Sequence, residues 1–100
     1  MLCLGLMSGT SADGVDAVLA RFQGAPDRPE WQLLSHHHSP YPAALRDELV
    51  RIGQGEPRQA AALLDLAEAV TEQQAIAARG ADPDQRASLI GCHGQTVWHR

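Results

Sequence analysis

The sequence predicts an α/β domain in which a three-stranded antiparallel meander is followed by two helices and a strand parallel to the first. Three observations lead to this prediction. Apolar or alternating runs separated by glycine and proline fill residues 2–38, apolar side chains recur at helical spacing over 43–79, and a short apolar run follows at 87–91. Hydrophobic residues make up 44% of the chain and charged residues 20%, so we expect one domain around one core.

The first strand is predicted from Leu2 to Met7, an unbroken apolar run that suits a strand covered on both faces. Small residues and an Asp-Gly pair follow, which favour a tight turn, so we expect the run from Val15 to Phe22 to be its hairpin partner. A second turn over 24–29 leads to a third strand from Trp31 to His38. The two prolines of segment 39–42 then end the sheet, because proline cannot donate to a strand ladder.

Helices are predicted over 43–52 and from Pro57 to about Arg79, with glycines ending each of them. The longer helix carries a core stripe at helical spacing: Leu63, Val70 and Ala77. The last strand, at 87–91, should lie parallel to the first, so the loops that follow the two strands emerge at one edge. Ligands of open α/β sheets collect at such a carboxyl edge.

The net charge of −4 and the scattered basic residues give little attraction for nucleic acid or for an anionic membrane, and neither is an expected partner. The apolar first residues lack the positive region and length of a signal peptide, which predicts a cytoplasmic protein. Cys3 and Cys92 are expected to be structural thiols.

The segment from Gly5 to Ala17 carries the strongest chemical pattern, a turn rich in glycine and hydroxyl residues between two strands. Such a turn directs backbone N–H groups and hydroxyls into one concavity, where a polyphosphate accepts several hydrogen bonds. Asp13 and Asp16 add oxygen ligands of the kind that Mg²⁺ takes beside nucleotide phosphates. On these residues alone a plain β-hairpin remains the other interpretation.

A second polar segment, from Gly91 to Arg100, leaves the last strand at the same edge. Gln95 and Thr96 offer an amide and a hydroxyl, groups that orient the hydroxyls of a sugar. The alternative is that His93 and Gln95 only cap the end of the strand.

Together, Gly-Leu-Met-Ser-Gly-Thr-Ser-Ala-Asp-Gly-Val-Asp and Gly-Cys-His-Gly-Gln-Thr-Val-Trp-His resemble the anhydro-N-acetylmuramic acid kinase family. The resemblance implies a ribonuclease H-like (actin-like ATPase) half-domain, with residues 1–100 as the amino-terminal part of the first lobe of a sugar kinase and the second lobe absent. It implies a kinase using ATP and Mg²⁺ that hydrolyses the 1,6-anhydro ring of anhydro-N-acetylmuramic acid and phosphorylates O6. The product, N-acetylmuramic acid 6-phosphate, belongs to cell-wall recycling.

By the same resemblance, the ATP phosphates would be bound by Gly9, Thr10, Ser11, Ala12, Asp13, Gly14, Val15 and Asp16. The sugar site would be bordered by His93, Gly94, Gln95 and Thr96. Apart from the resemblance, Trp98 is either a packing residue or, because it lies next to this polar segment, a further residue of the sugar pocket. The general-base aspartate of the family is expected beyond residue 100, so we expect the chain alone to be inactive. The wider superfamily commonly carries an aspartate where this chain has Met7, which leaves Asp13, Asp16 or a later carboxylate as the metal ligand.

Two other classes of function stay open. One is an actin-like ATPase without a sugar substrate. The polar segment after the last strand argues against this class, because it resembles a sugar-site motif. The other is a non-catalytic nucleotide-binding fragment. The triplet from His36 to His38 is a weak metal candidate, because zinc sites take ligands from separated positions. An exposed lobe face would favour homodimers.

Overall fold

The computed structural model describes residues 1–8, 12–25 and 27–95. Its elements, in chain order, are β1 (Leu2–Met7), β2 (Gly14–Ala25), β3 (Arg28–Pro40), α1 (Ala43–Gly53), α2 (Ala60–Ala81) and β4 (Leu89–His93). The order of elements confirms the predicted α/β arrangement of three strands, two helices and a returning strand.

The four strands form one sheet in the order β3-β2-β1-β4. β1 is antiparallel to β2, with Leu4 opposite Leu19, and β2 is antiparallel to β3. β4 pairs in parallel with β1, with Leu4 beside Ile90, after a crossover through both helices. Strands β1, β3 and β4 therefore run in the same direction, and their carboxyl ends lie at one edge of the sheet.

The helices lie on one face of the sheet, and the core is the layer of side chains between the sheet and the helices. Side chains alternate along a strand, so every second residue of β1 and β2 enters this core. The buried core side chains of the strands and helices are Leu4, Leu6, Val15, Ala17, Leu19, Leu49, Leu66, Val70 and Ala77. The predicted division of β2, with Val15, Ala17 and Leu19 on one side, matches this core.

The opposite face of the sheet is not covered by any described element, so the expectation that β1 is covered on both faces is wrong. Met7 is 63% exposed, and an apolar depression of about 470 Å³ crosses the middle of the sheet. Apart from the core residue Leu4, we call the residues that line it the open face: Cys3, Gly5, Val18, Ala20, Phe22, Leu89 and Gly91. Both helices follow β3 and lie on the same side, so no described element packs on the open face, although Ala20 is itself only 7% exposed.

The second hairpin is longer than predicted. β2 continues to Ala25 and β3 runs from Arg28 to Pro40, with Phe22 opposite Trp31 and an irregularity of register between Leu19 and Ala20. The backbone ladder continues past this pair, through Gln23 opposite Glu30 to Ala25 opposite Arg28, into the Gly- and Pro-containing segment that was predicted to be a loop.

Helix α2 begins at Ala60, not at Pro57. Arg58 explains the delay, because its guanidinium donates to Glu48 of α1 and lies 3.1 Å from Glu56, which fixes the preceding segment against α1. The Arg58 guanidinium lowers the pKa of Glu48. The segment from 57 to 59 therefore connects the helices and does not open the second one.

The predicted core stripe of α2 is correct for Val70 and Ala77 and wrong for Leu63, which is 43% exposed. Gly80 lies inside the helix and does not end it. A β-carbon at Gly80 would overlap the ring of His37, so glycine serves close packing of α2 on β3 there. Neither described helix has the combination of length and apolar character needed to span a membrane.

Candidate functional site

The described parts of the two polar segments that follow β1 and β4 lie at the carboxyl edge of the sheet. β1 and β4 are parallel with Met7 beside His93, so the chain leaves both strands at the same level. β2 begins at this edge, since Gly14 lies opposite Pro40 at the end of β3. We call the group that gathers there the rim: Ser8, Asp13, Tyr41 and Gln95.

Tyr41 connects the two segments. Its side chain is buried, and its hydroxyl oxygen lies 3.0 Å from Ser8 Oγ and 2.9 Å from Gln95 Oε1. A phenol has one proton and an amide oxygen only accepts, so Tyr41 donates to Gln95 and accepts from Ser8. The first and second polar segments are thus joined through one side chain of the loop after β3.

The backbone of Tyr41 makes a third contact. Its N–H donates to the carbonyl oxygen of Asp13 at 3.1 Å, in the turn between β1 and β2. Burial raises the pKa of Tyr41, against the opposing effect of the Ser8 hydrogen bond. The phenol is therefore protonated at physiological pH and keeps the proton that it donates to Gln95.

The described part of the β1–β2 turn is tightly constrained. Ala12 is buried and adopts φ 56°, a left-handed conformation that is uncommon for a residue with a side chain. Gly14 passes so close to the backbone of Ser39 and Pro40 that a β-carbon would overlap it. Left-handed residues in turns are the elements from which anion-binding concavities of N–H groups are built.

The two candidate metal ligands of this turn have different surroundings. The carboxylate of Asp13 is exposed, with Arg46 at 3.7 Å. Asp16 Oδ1 lies 3.2 Å from His36 Nε2 and 3.0 Å from His38 Nδ1. Hydrogen bonds from His38 foremost, and also from His36, lower the pKa of Asp16, although desolvation opposes them.

The histidine triplet is therefore divided between the two faces of the sheet. His36 and His38 accompany Asp16 on the open face, whereas His37 packs against α2. Among the residues that the structure describes, no group of three or more His, Cys, Asp or Glu side chains is arranged to hold a metal ion.

β4 extends to His93, two residues further than predicted, and this separates the candidate sugar residues. Leu6 pairs with Cys92 and faces the core, so His93, one residue on, lies on the opposite side of the sheet beside Met7. Gln95 instead reaches Tyr41 on the core side. The structure thus brings Gln95, but not His93, to the buried contacts of the rim.

Gly94 and Gln95 border an apolar groove of about 410 Å³ between the helices and the segment after β4. Its other walls come from α1 and α2: Leu49, Leu63, Leu66, Ala67, Val70, Thr71 and Gln74. A volume of this size with a few polar groups at one end is typical of small-molecule sites. Leu63 is the exposed member of this lining, whereas Leu49, Leu66 and Val70 are buried.

Five of the predicted site residues, Gly9, Thr10, Ser11, Thr96 and Trp98, lie outside the described residues. The sequence reasoning missed Tyr41, which is the residue that joins the two segments. The only signal for it was its position between two prolines directly after a strand, and that pattern was interpreted as the end of the sheet.

Comparison with known proteins gives one consistent result. A family model described as anhydro-N-acetylmuramic acid kinase matches residues 1–100. The chain is 95% identical over 100 residues to the anhydro-N-acetylmuramic acid kinase of Parasynechococcus marenigrum (strain WH8102) and 68% identical to that of Synechococcus sp. (strain CC9605). Each match covers 100% of this chain and 26% of the relative, so the chain spans about a quarter of the length of these proteins.

Proposed function

Because this chain belongs to the anhydro-N-acetylmuramic acid kinase family, we propose that the full-length protein is an ATP-dependent kinase acting on anhydro-N-acetylmuramic acid. In the proposed reaction, water attacks C1 and breaks the bond from C1 to O6, and O6 takes the γ-phosphoryl group of ATP. The products are N-acetylmuramic acid 6-phosphate and ADP. The role of this reaction is the recycling of cell-wall sugars.

The observation that carries the proposal is the convergence of the two polar segments at the rim. Tyr41 lies within hydrogen-bond distance of Ser8 and of Gln95, which follow different strands of the sheet. Phosphoryl transfer depends mainly on positioning and on stabilisation of charge, so a kinase needs its phosphate-binding and sugar-binding groups at a common edge. The fold, an actin-like half-domain as expected for this family, supplies that edge.

We assign the ATP phosphates to the turn from residue 9 to residue 16. The left-handed Ala12 and the close approach of Gly14 to β3 support a turn whose backbone, more than its side chains, faces the ligand. Asp13 fits Mg²⁺ better than Asp16 does, because its carboxylate is exposed while an oxygen of Asp16 already contacts two imidazoles. When bound, Mg²⁺ neutralises charge on the phosphates.

We assign the sugar to the side of the rim bordered by Gly94 and Gln95. The Gln95 side chain has its oxygen held by Tyr41, which fixes the orientation of the amide. The adjoining apolar groove offers a surface for the non-polar parts of a substituted sugar. His93, on the other face of the sheet, takes part in sugar binding only if the sugar extends around the end of β4.

The isolated 100-residue chain is proposed to be inactive. The relatives are about four times as long, and a kinase of this fold needs a second lobe to exclude loose water from the γ-phosphate. The cytoplasm is the proposed location, since it supplies ATP and keeps thiols reduced, and both cysteines are unbridged here. The open face gives the chain a surface for a homodimer.

The proposal is tested by assaying the full-length protein with ATP, Mg²⁺ and anhydro-N-acetylmuramic acid in water enriched in ¹⁸O. We expect release of ADP that depends on the sugar, and a phosphorylated product with one ¹⁸O at C1. Glucose and N-acetylglucosamine, which have no anhydro ring, are the control substrates. Release of ADP without sugar, or preference for the control sugars, would contradict the proposal.

A further inference from the structure

We infer that Tyr41 is a positioning residue that fixes the phosphate-binding turn and the sugar-binding segment relative to each other. The inference rests on the proposed function for the identity of the two ligands, but not for the contacts themselves. Tyr41 lies in neither predicted motif and follows β3, so it belongs to a third segment of the chain.

The three contacts of Tyr41 reach three different parts of the rim. Its hydroxyl contacts Ser8 at the end of β1 and Gln95 beyond β4, and its N–H donates to Asp13 within the turn. Ser8 is 1% exposed, so its hydroxyl depends on protein partners and not on water. A displacement of either segment therefore breaks a hydrogen bond at Tyr41.

The local sequence holds Tyr41 in place. Pro40 and Pro42 flank it and restrict the backbone on both sides, and Pro42 is the N-cap residue of α1. The ring is buried in the same core as Leu6 and Leu49. A rigid backbone and a packed ring together make the hydroxyl a fixed point between the two segments.

The test compares the full-length protein with its Tyr41→Phe, Ser8→Ala and Ser35→Ala variants. Ser35→Ala is the matched control, because it also removes a side-chain hydroxyl that bonds across the fold, to the carbonyl of Ala81, at a distance from the rim. Hydrogen exchange measured by mass spectrometry reports on peptides that cover 8–14 and 92–95. Steady-state kinetics give kcat and KM for both substrates.

For Tyr41→Phe we expect faster exchange in both peptides, because the hydroxyl loses its hydrogen bonds to Ser8 and to Gln95. We also expect a roughly tenfold fall in kcat/KM, which is the size of effect that losing such hydrogen bonds produces. KM should rise for ATP and for the sugar, since both segments lose their fixed spacing. Ser8→Ala should speed exchange at 92–95 although Ser8 lies in the other segment. Ser35→Ala should change neither exchange peptide and should change kcat/KM less than twofold.

Unchanged exchange at 8–14 and at 92–95 in Tyr41→Phe, or an equal loss of kcat/KM in Ser35→Ala, would overturn the inference. If Tyr41→Phe does not fold, Ser8→Ala decides, because unchanged exchange at 92–95 then refutes the connection. If the wild-type protein does not phosphorylate the sugar, the proposed function fails and the exchange comparison still decides the role of Tyr41.

Discussion

Gly14 and Ser39 lie in such close contact that a β-carbon on Gly14 would overlap the carbonyl oxygen of Ser39. The contact joins the start of β2 to the end of β3, next to the turn that we propose binds the ATP phosphates. Because the neighbouring atoms belong to the backbone, they cannot move aside as a flexible side chain would.

Replacing Gly14 with alanine is therefore expected to separate β2 from β3 at this edge and to lower the melting temperature of the chain. The matched control is Gly5→Ala, since no atom lies within 4 Å of the β-carbon position there. Thermal unfolding followed by circular dichroism compares the two variants. Equal melting temperatures would show that the contact is not constraining.

Asp82 is expected to hold the loop that leads into β4. Its buried carboxylate accepts hydrogen bonds from the backbone N–H groups of Arg86 at 2.9 Å and Ala87 at 3.0 Å. Asp82→Ala should lower the free energy of unfolding by about 1–3 kcal/mol, because it leaves two backbone donors unsatisfied. Asp84→Ala, an exposed change in the same loop, should have little effect. Urea unfolding measures both, and similar losses would refute this role.

The Asp16 carboxyl should titrate below its ordinary range because His38 and His36 donate to it. An acid with a lowered folded-state pKa stabilises the fold above the unfolded-state pKa, and this contribution is lost as the pH falls through the folded-state pKa. Carboxyl NMR titration should show the Asp16 pKa rising in His38→Gln and, by less, in His36→Gln. An unchanged pKa in both variants would exclude these hydrogen bonds.

The open face predicts that the isolated chain self-associates. It presents Phe22 and Leu89 beside a depression with little polar surface, and such patches are uncommon on monomers. Sedimentation should show a mass that rises with concentration, and Phe22→Asp should suppress the rise. Leu64→Asp is the control, because Leu64 is an exposed leucine of α2 that does not line the open face. A monomeric wild-type chain at all concentrations would contradict the prediction.

The order of elements was predictable because it depends on local patterns. Val15, Ala17 and Leu19 alternate with residues that face away from the helices, and the short apolar run at 87–91 was expected to form a strand beside β1. The covering of β1 was not predictable in the same way. Cys3, Gly5 and Met7 are small or apolar residues, so their sequence does not distinguish a buried face from an exposed one.

The two polar segments of the candidate site could be predicted from the sequence, but the side chain that connects them could not. The glycine-rich turn and the segment around Gln95 are local motifs, whereas the contact of Tyr41 with Gln95 spans 54 residues. The same reason explains Gly80, whose role depends on the ring of His37 in a distant strand. Tertiary contacts of this kind leave no periodic signal in a single sequence.

The turn after β1 is proposed to bind nucleotide and the segment after β4 to bind sugar, at one edge of the sheet. Hydrogen exchange of the full-length protein, with and without each ligand, tests it most directly. A non-hydrolysable ATP analogue with Mg²⁺ should protect peptides covering 8–16, and anhydro-N-acetylmuramic acid should protect those covering 91–96. If either ligand leaves exchange in its own segment unchanged and slows exchange only in other parts of the protein, that result would contradict the proposed sites.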